Sequence, residues 1–156
     1  MKGRAILRVD ANQGFTPEAA CRFATKVGPE NIELFEQPCA DDDWDGAVKV
    51  ARNSPLPMML DESIYGVADI DRAASLKAAR FIKLKLMKLG GLGRLDAALA
   101  RIRELGMVPV LGNGVASEIG CWMEGCVARR RIDNAGEMNG FLKQKGPLVT
   151  PPLKSW

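Results

Sequence analysis

Ile32-Glu33-Leu34-Phe35-Glu36-Gln37-Pro38 reads as a buried β-strand that carries a carboxylate where it ends. Ile32, Leu34 and Phe35 supply the apolar side chains, and Pro38, with no N–H, closes the ladder. A charge at the end of such a strand costs free energy unless a partner receives it. The same arrangement recurs along the chain. Asp10 ends the run Ala5-Ile6-Leu7-Arg8-Val9, Asp61 ends Met58-Met59-Leu60, and Lys85 lies in Phe81-Ile82-Lys83-Leu84-Lys85-Leu86-Met87-Lys88. From Asp10 to Glu36, Asp61 and Lys85 the intervals are 26, 25 and 24 residues, about the length of one strand plus one helix.

Helix signals fill the gaps between these strands. Thr16-Pro17-Glu18 combines a hydroxyl cap, proline at the first helical position and an acid in the first turn; Gly28-Pro29 is the stop after Val27. Asp41-Asp42-Asp43 charges the start of a helix toward Arg52, in preference to holding a metal. A strand Pro57 to Leu60 precedes a helix through Ile70, Ala73, Ala74 and Leu76. The fourth strand, Phe81 to Met87, ends at Lys88-Leu89-Gly90-Gly91. Leu92, Leu95, Ala98, Leu99, Ile102 and Leu105 follow helical spacing up to Gly106. A strand Met107 to Leu111 and a helix from Ser117 to Arg130 come next. Ile132 to Gly140 is assigned a further short strand ending near Glu137, and the Pro-containing tail from Gly146 a path over the surface.

This pattern predicts five strands and a sixth, alternating with five helices. The strand runs are largely apolar, as strands covered on both faces are. Strict alternation means a parallel sheet, closed either as an open doubly wound sheet or as part of a barrel. In a barrel every strand delivers its C-terminal end to one mouth, whereas an open sheet gathers its useful positions at one switch point. Four consecutive strands, each with a polar end, favour the barrel. A full barrel has eight units and about 250 residues. The fold class predicted is therefore α/β, a partial (β/α) barrel of five to six units, with residues 1–156 as one truncated barrel domain.

Composition narrows the chemistry. The chain has 47% hydrophobic residues, a net charge of +3 and no histidine. Zinc sites built on imidazole and Ser-His or Cys-His nucleophiles are thereby removed. Charges are interspersed, without a basic stripe bearing aromatics, so nucleic acid is not an expected partner. Arg129-Arg130-Arg131 suits the C-terminal end of a helix dipole. Cys21, Cys39, Cys121 and Cys126 form no Cys-x-x-Cys pair, which fits buried thiols in a reducing cytoplasm. No apolar run reaches the length of a membrane span.

Three carboxylates on adjacent strands make an oxygen-donor set for a hard divalent ion such as Mg²⁺. Such a cation polarises a substrate carboxylate and eases loss of a proton from the neighbouring carbon. Lys85 is the candidate proton acceptor, because crowding by Lys83 and Lys88 would favour its uncharged form. Each residue also has a plainer role open to it. An Asp at a strand end caps helices, and a lysine in a strand reaches to solvent. Gly90-Gly91-Leu92-Gly93 and Gly112-Asn113-Gly114 could hold a phosphate, but tight strand-to-helix turns explain them better.

Val9-Asp10-Ala11-Asn12, Phe35-Glu36-Gln37-Pro38, Leu60-Asp61-Glu62-Ser63 and Lys85-Leu86-Met87-Lys88-Leu89-Gly90-Gly91 together resemble the enolase superfamily, in its muconate-lactonizing and dipeptide-epimerase branch. The resemblance runs from Ala5 to about Gly140. It implies that Asp10, Glu36 and Asp61 bind Mg²⁺ and that Lys85 is an acid/base lysine acting on a small carboxylate substrate. Asn12, Gln37 and Glu62 would surround the metal ligands, with Lys83 and Lys88 beside them, and Glu118, Glu137 and Asn139 would lie near the mouth. The family's capping domain and its first two barrel strands have no counterpart in these residues. Its Lys-x-Lys motif, on the second strand, is not supplied by Met1-Lys2-Gly3-Arg4. One base suffices for an elimination or for exchange of an α-proton; racemisation needs a base on each face. Exposed strand edges would pair with another copy, giving a homo-oligomer. A non-catalytic scaffold is the second reading and an open-sheet nucleotide-binding protein the third.

Overall fold

The computed structural model describes residues 5–151. Along the chain run β1 (Leu7–Asp10), α1 (Pro17–Val27), β2 (Ile32–Glu36), α2 (Trp44–Asn53), β3 (Met58–Leu60) and α3 (Val67–Leu76). Then come β4 (Phe81–Leu84), the short α4 (Leu86–Leu89), α5 (Leu92–Glu104), β5 (Val108–Leu111), α6 (Glu118–Arg131) and a 3-10 turn, Gly140–Lys143. The strands pair in sequential order, β1-β2-β3-β4-β5, and every pair is parallel. Right-handed crossovers between sequential neighbours put the helices on one side, so the sheet curls into a half-barrel. A doubly wound sheet reverses its order part-way, and this one does not. The open-sheet reading is set aside.

Local chemistry accounts for most helix ends. Thr16 accepts a hydrogen bond from the Ala19 N–H, Pro17 opens α1, and Gly28 ends it at φ 73°. The Asp43 carboxylate accepts from the Gly46 N–H at 2.8 Å, so the acidic triplet is a cap for α2. Ser117 caps α6, and its last turn carries Arg129, Arg130 and Arg131. Of the six positions at helical spacing, Leu95, Ala98, Leu99 and Ile102 on α5 are fully buried, whereas Leu92 at its start is exposed and Leu105 just after it is half-buried.

The pleat sorts side chains between two environments. Phe35, Met58, Leu60, Ile82, Leu84 and Leu111 face the helices in two apolar clusters. Leu34, Met59, Phe81 and Val110 form a separate cluster on the other face, inside the curl. Continuing that inner set toward the strand ends gives Asp10, Glu36, Asp61 and Lys83. Behind β2, Phe15, Phe23 and Phe35 stack with ring centroids 5.3–6.0 Å apart.

Several expected boundaries move. β4 ends at Leu84 instead of Met87, and Leu86–Leu89 is a helical turn, which raises the helix count to six. The reason is tertiary: the Leu86 N–H donates to the Glu124 carboxylate, and Gly90 closes the turn at φ 70°. Ile132 to Gly140 forms no strand. Its links to β5 are one ladder-like bond, from Glu137 N–H to Leu111 O at 2.9 Å, and a side-chain bond from Asn134 Nδ2 to Pro109 O at 3.0 Å. β1 starts at Leu7, with a register shift against β2 between Leu7 and Arg8, and Ile6 is 74% exposed. β3 does not include Pro57. Met1-Lys2-Gly3-Arg4 and the last prolyl residue of the tail lie outside the described residues.

Candidate functional site

The register places the polar residues at one end of the sheet. Asp10 is the Cα partner of Glu36, and Glu36 that of Met59, so Asp61 stands two residues beyond that pairing. Leu60 pairs with Ile82, which brings Asp61 and Lys83 to neighbouring inner positions. Glu36, Asp61 and Lys83 are all buried.

Lys83 sits at the centre of the cluster. Its Nζ lies 2.7 Å from Glu36 Oε1, 2.6 Å from Glu137 Oε2 and 3.9 Å from Asp61 Oδ2. Asp61 has two closer cations: Lys85 Nζ at 2.5 Å from Oδ2 and Lys88 Nζ at 2.7 Å from Oδ1. Lys88 also donates to the Asp61 main-chain oxygen at 2.6 Å and lies over the Tyr65 ring. Of these three lysine side chains, Lys85 retains 18% exposure against 3% for Lys83 and 6% for Lys88. It stands directly after β4, at the mouth of the half-barrel.

Burial works against the charged form of Lys83, but its hydrogen bonds to Glu137 and Glu36, and their charges, hold its pKa above the ordinary lysine value. Burial pushes the Glu36 carboxyl up to about 7 against the pull of Lys83; the charges of Asp10 and Glu137 add to the rise. For Asp61 burial favours the neutral acid, yet the hydrogen bonds and charges of Lys85 and Lys88 lower its pKa.

Gln37 pins two strand ends together. Its Oε1 accepts from the N–H groups of Asp61 at 3.0 Å and Ser63 at 3.3 Å. Its Nε2 donates to Cys39 O at 3.1 Å and Ser63 Oγ at 2.8 Å. Asn12, at φ 45°, donates its N–H to Asp10 Oδ1 and is itself exposed. The Glu62 carboxyl is raised by burial and by the charge of Asp61, and its buried Oε2 has no hydrogen-bond partner among the described residues.

The expected mouth residues separate. Glu137 joins the cluster through Lys83. Glu118 does not: its Oε1 accepts from the N–H groups of Leu148 and Val149 and holds the tail. Asn139 is exposed, and its main-chain oxygen receives the Leu142 N–H. Glu124 was not singled out in the sequence, yet it is 1% exposed and accepts from Leu86 N–H at 3.1 Å and Asn113 Nδ2 at 2.5 Å. Its one sequence signal is an acid amid the small and apolar residues of α6.

The donors have the chemistry that Mg²⁺ takes, but their arrangement does not fit it. Among the described residues no three Asp, Glu or Cys side chains are placed to hold a metal ion. Lys83 occupies the space between Glu36, Glu137 and Asp61, and two more ammonium groups hold Asp61.

Residues 2–135 match the family described as Enolase C-terminal domain-like. The chain belongs to this family. Within the enolase superfamily it is 36% identical to an L-Ala-D/L-Glu epimerase of Clostridium acetobutylicum, over 78% of this chain and 32% of that protein. It is 32% identical to an N-succinyl-L-Arg/Lys racemase of Bacillus cereus, over 95% of the chain and 38% of the relative. It superposes on muconate lactonizing enzyme from Pseudomonas putida with a TM-score of 0.87 at 28% identity, covering 97% of this chain and 43% of that one. For the substrate-liganded L-Ala-D/L-Glu epimerase from Bacillus subtilis the TM-score is 0.81 at 30% identity, over 90% and 40%. This enolase-superfamily chain thus spans a third to two fifths of the length of the curated relatives it matches.

Proposed function

We propose that this chain supplies part of a barrel active site for proton transfer at a carbon next to a carboxylate, with Lys85 as the acid/base group. The observation that carries the reading is the position of Lys85: after β4, partly exposed, with its Nζ 2.5 Å from Asp61 Oδ2. Relatives named as epimerases, racemases and cycloisomerases support the reaction class.

In this reading neutral Lys85 Nζ takes the proton from the α-carbon and becomes an ammonium. Asp61, held in place by Gln37 and Lys88, stabilises that ammonium as it forms. Negative charge then grows on the substrate carboxylate, beside the ammonium that Lys85 has become. Mg²⁺, which the family resemblance implies on Asp10, Glu36 and Asp61, has no step here, because Glu36 and Asp61 as arranged are committed to lysine, and Asp10 accepts from the Asn12 N–H. A single base on one face supports exchange of the α-proton or an elimination.

Incubation with a panel of dipeptides and hydroxy acids in deuterated water tests the proposal. Deuterium should enter the α-position, and Lys85→Ala should abolish its entry; incorporation that survives the substitution removes Lys85 from the role. A non-catalytic scaffold is the second reading, favoured by the complete pairing of Glu36, Asp61 and Lys83. Absence of exchange across the whole panel would select it.

We also propose that β1 and β5, each paired on one side among the described residues, pair with a second copy of the chain. A cytoplasmic location completes the proposal. All four cysteines are free thiols, and among the described residues no helix is long and apolar enough to cross a membrane.

A further inference from the structure

We infer that Lys83 is the resident cation of the carboxylate cluster: its tethered ammonium stands in the place that the family resemblance assigns to a divalent ion, and it excludes that ion from the intact protein. Three independent features lead there. The first is contact, since Lys83 Nζ reaches Glu36 at 2.7 Å, Glu137 at 2.6 Å and Asp61 at 3.9 Å. Glu36 and Glu137 accept hydrogen bonds from the ammonium, and Asp61, beyond hydrogen-bond distance, adds a third negative charge beside it.

The second is a passage shaped for the lysine stem. Gly112 follows β5, and a Cβ there would stand 2.5 Å from Lys83 Cε and 3.2 Å from its Cδ and Cγ. The absence of that one carbon leaves a lane along which the aliphatic chain crosses to β2. The third is a carboxylate from outside the sheet that closes the cage. The bond from Glu137 N–H to Leu111 O brings the segment after α6 to the end of β5, where Glu137 meets Lys83.

Mg²⁺ needs oxygens at about 2.0–2.1 Å in near-octahedral order, so it cannot share this centre with an ammonium. To enter, it must expel a buried lysine from its partners, leaving a charge unpaired away from water. The tethered cation has no concentration to lose, whereas the ion is diluted in solvent. Divalent affinity should therefore be lower than that of the same cage without the lysine charge by about a hundredfold or more. This inference does not rest on the proton-transfer reading, and it holds whether or not the chain turns over a substrate.

The test is calorimetric titration of the full chain with Mg²⁺, with Mn²⁺ binding followed by electron paramagnetic resonance. Wild type should bind either ion no tighter than about millimolar, and its Tm should not respond to added Mg²⁺. Lys83→Met keeps the stem length and removes the charge. It should bind about a hundredfold tighter or more and gain Tm with Mg²⁺, and Glu36→Gln in that background should reverse both effects. Lys83→Gln serves as a second variant that keeps a polar tip. Wild type binding as tightly as the variants overturns the inference, as does failure of both variants to exceed it. If neither variant folds, wild type decides alone: an affinity tighter than about 100 µM that Glu36→Gln weakens would refute it, and no measurable site would sustain it.

Discussion

Gly112 lies against Lys83 so closely that a methyl group there would sit 2.5 Å from the lysine Cε. The lysine cannot swing aside, because its tip is tied to Glu36 and Glu137 and its side chain is 3% exposed. Gly112→Ala should therefore cost about 1–3 kcal/mol by overpacking. Urea denaturation checks this. A shift in the midpoint equal to that of an exposed glycine such as Gly93 would show that the lane is not needed.

Gln37 carries four hydrogen bonds, three to Asp61 and Ser63 after β3 and one to Cys39 O. Gln37→Ala leaves the Asp61 and Ser63 N–H groups buried without acceptors, at about 1–3 kcal/mol for each unmet group. The expected loss is about 2–4 kcal/mol by denaturant unfolding. A loss below half a kilocalorie would remove Gln37 from its pinning role.

Asp43 caps α2 through the Gly46 N–H. Asp43→Ala should lower stability by about 1 kcal/mol, as lost caps do. Calcium and magnesium titrations of the same variant should match wild type, since the Asp41-Asp42-Asp43 triplet serves the helix start. Metal binding that disappears with Asp43 would reverse that assignment.

Burial raises the Glu124 carboxyl above the ordinary value, against the hydrogen bonds from Leu86 and Asn113. A carboxyl whose folded pKa is raised loses stabilisation as pH climbs from its unfolded value through the folded one. The stability of wild type relative to Glu124→Gln should therefore be greater at pH 5 than at pH 8. Guanidinium unfolding at the two pH values reads the difference directly, and an equal difference at both contradicts it.

The strand edges make a further claim about assembly. Size-exclusion chromatography with light scattering at micromolar concentration should give at least the mass of a dimer. A clean monomer would mean that β1 and β5 are closed in some other way.

Much of the half-barrel is legible in local sequence. The Thr16, Asp43 and Ser117 caps mark helix starts, the apolar spacing of α5 marks its buried face, and polar residues close the apolar runs of β1, β2 and β3. Those signals act over one or two turns of chain, so they survive without knowledge of what packs where. The end of β4 was not legible, because Glu124, 38 residues from Leu86, is what turns the backbone there. Nor was the absent strand after α6, where one main-chain bond and one side-chain bond to β5 replace a ladder.

The sequence by itself determined the repeating strand-helix units and the set of charged residues at their ends, because pleat and helix periods are written in neighbouring side chains. Only the tertiary structure decided how those charges are partnered. Lys83, and not Lys85, fills the cluster because curling the sheet brings β4 across to Glu36, 47 residues away, and Gly112 leaves the lane open. An ion pair at that separation depends on strand stagger and on the room left by a third strand, neither of which any short stretch of the chain encodes.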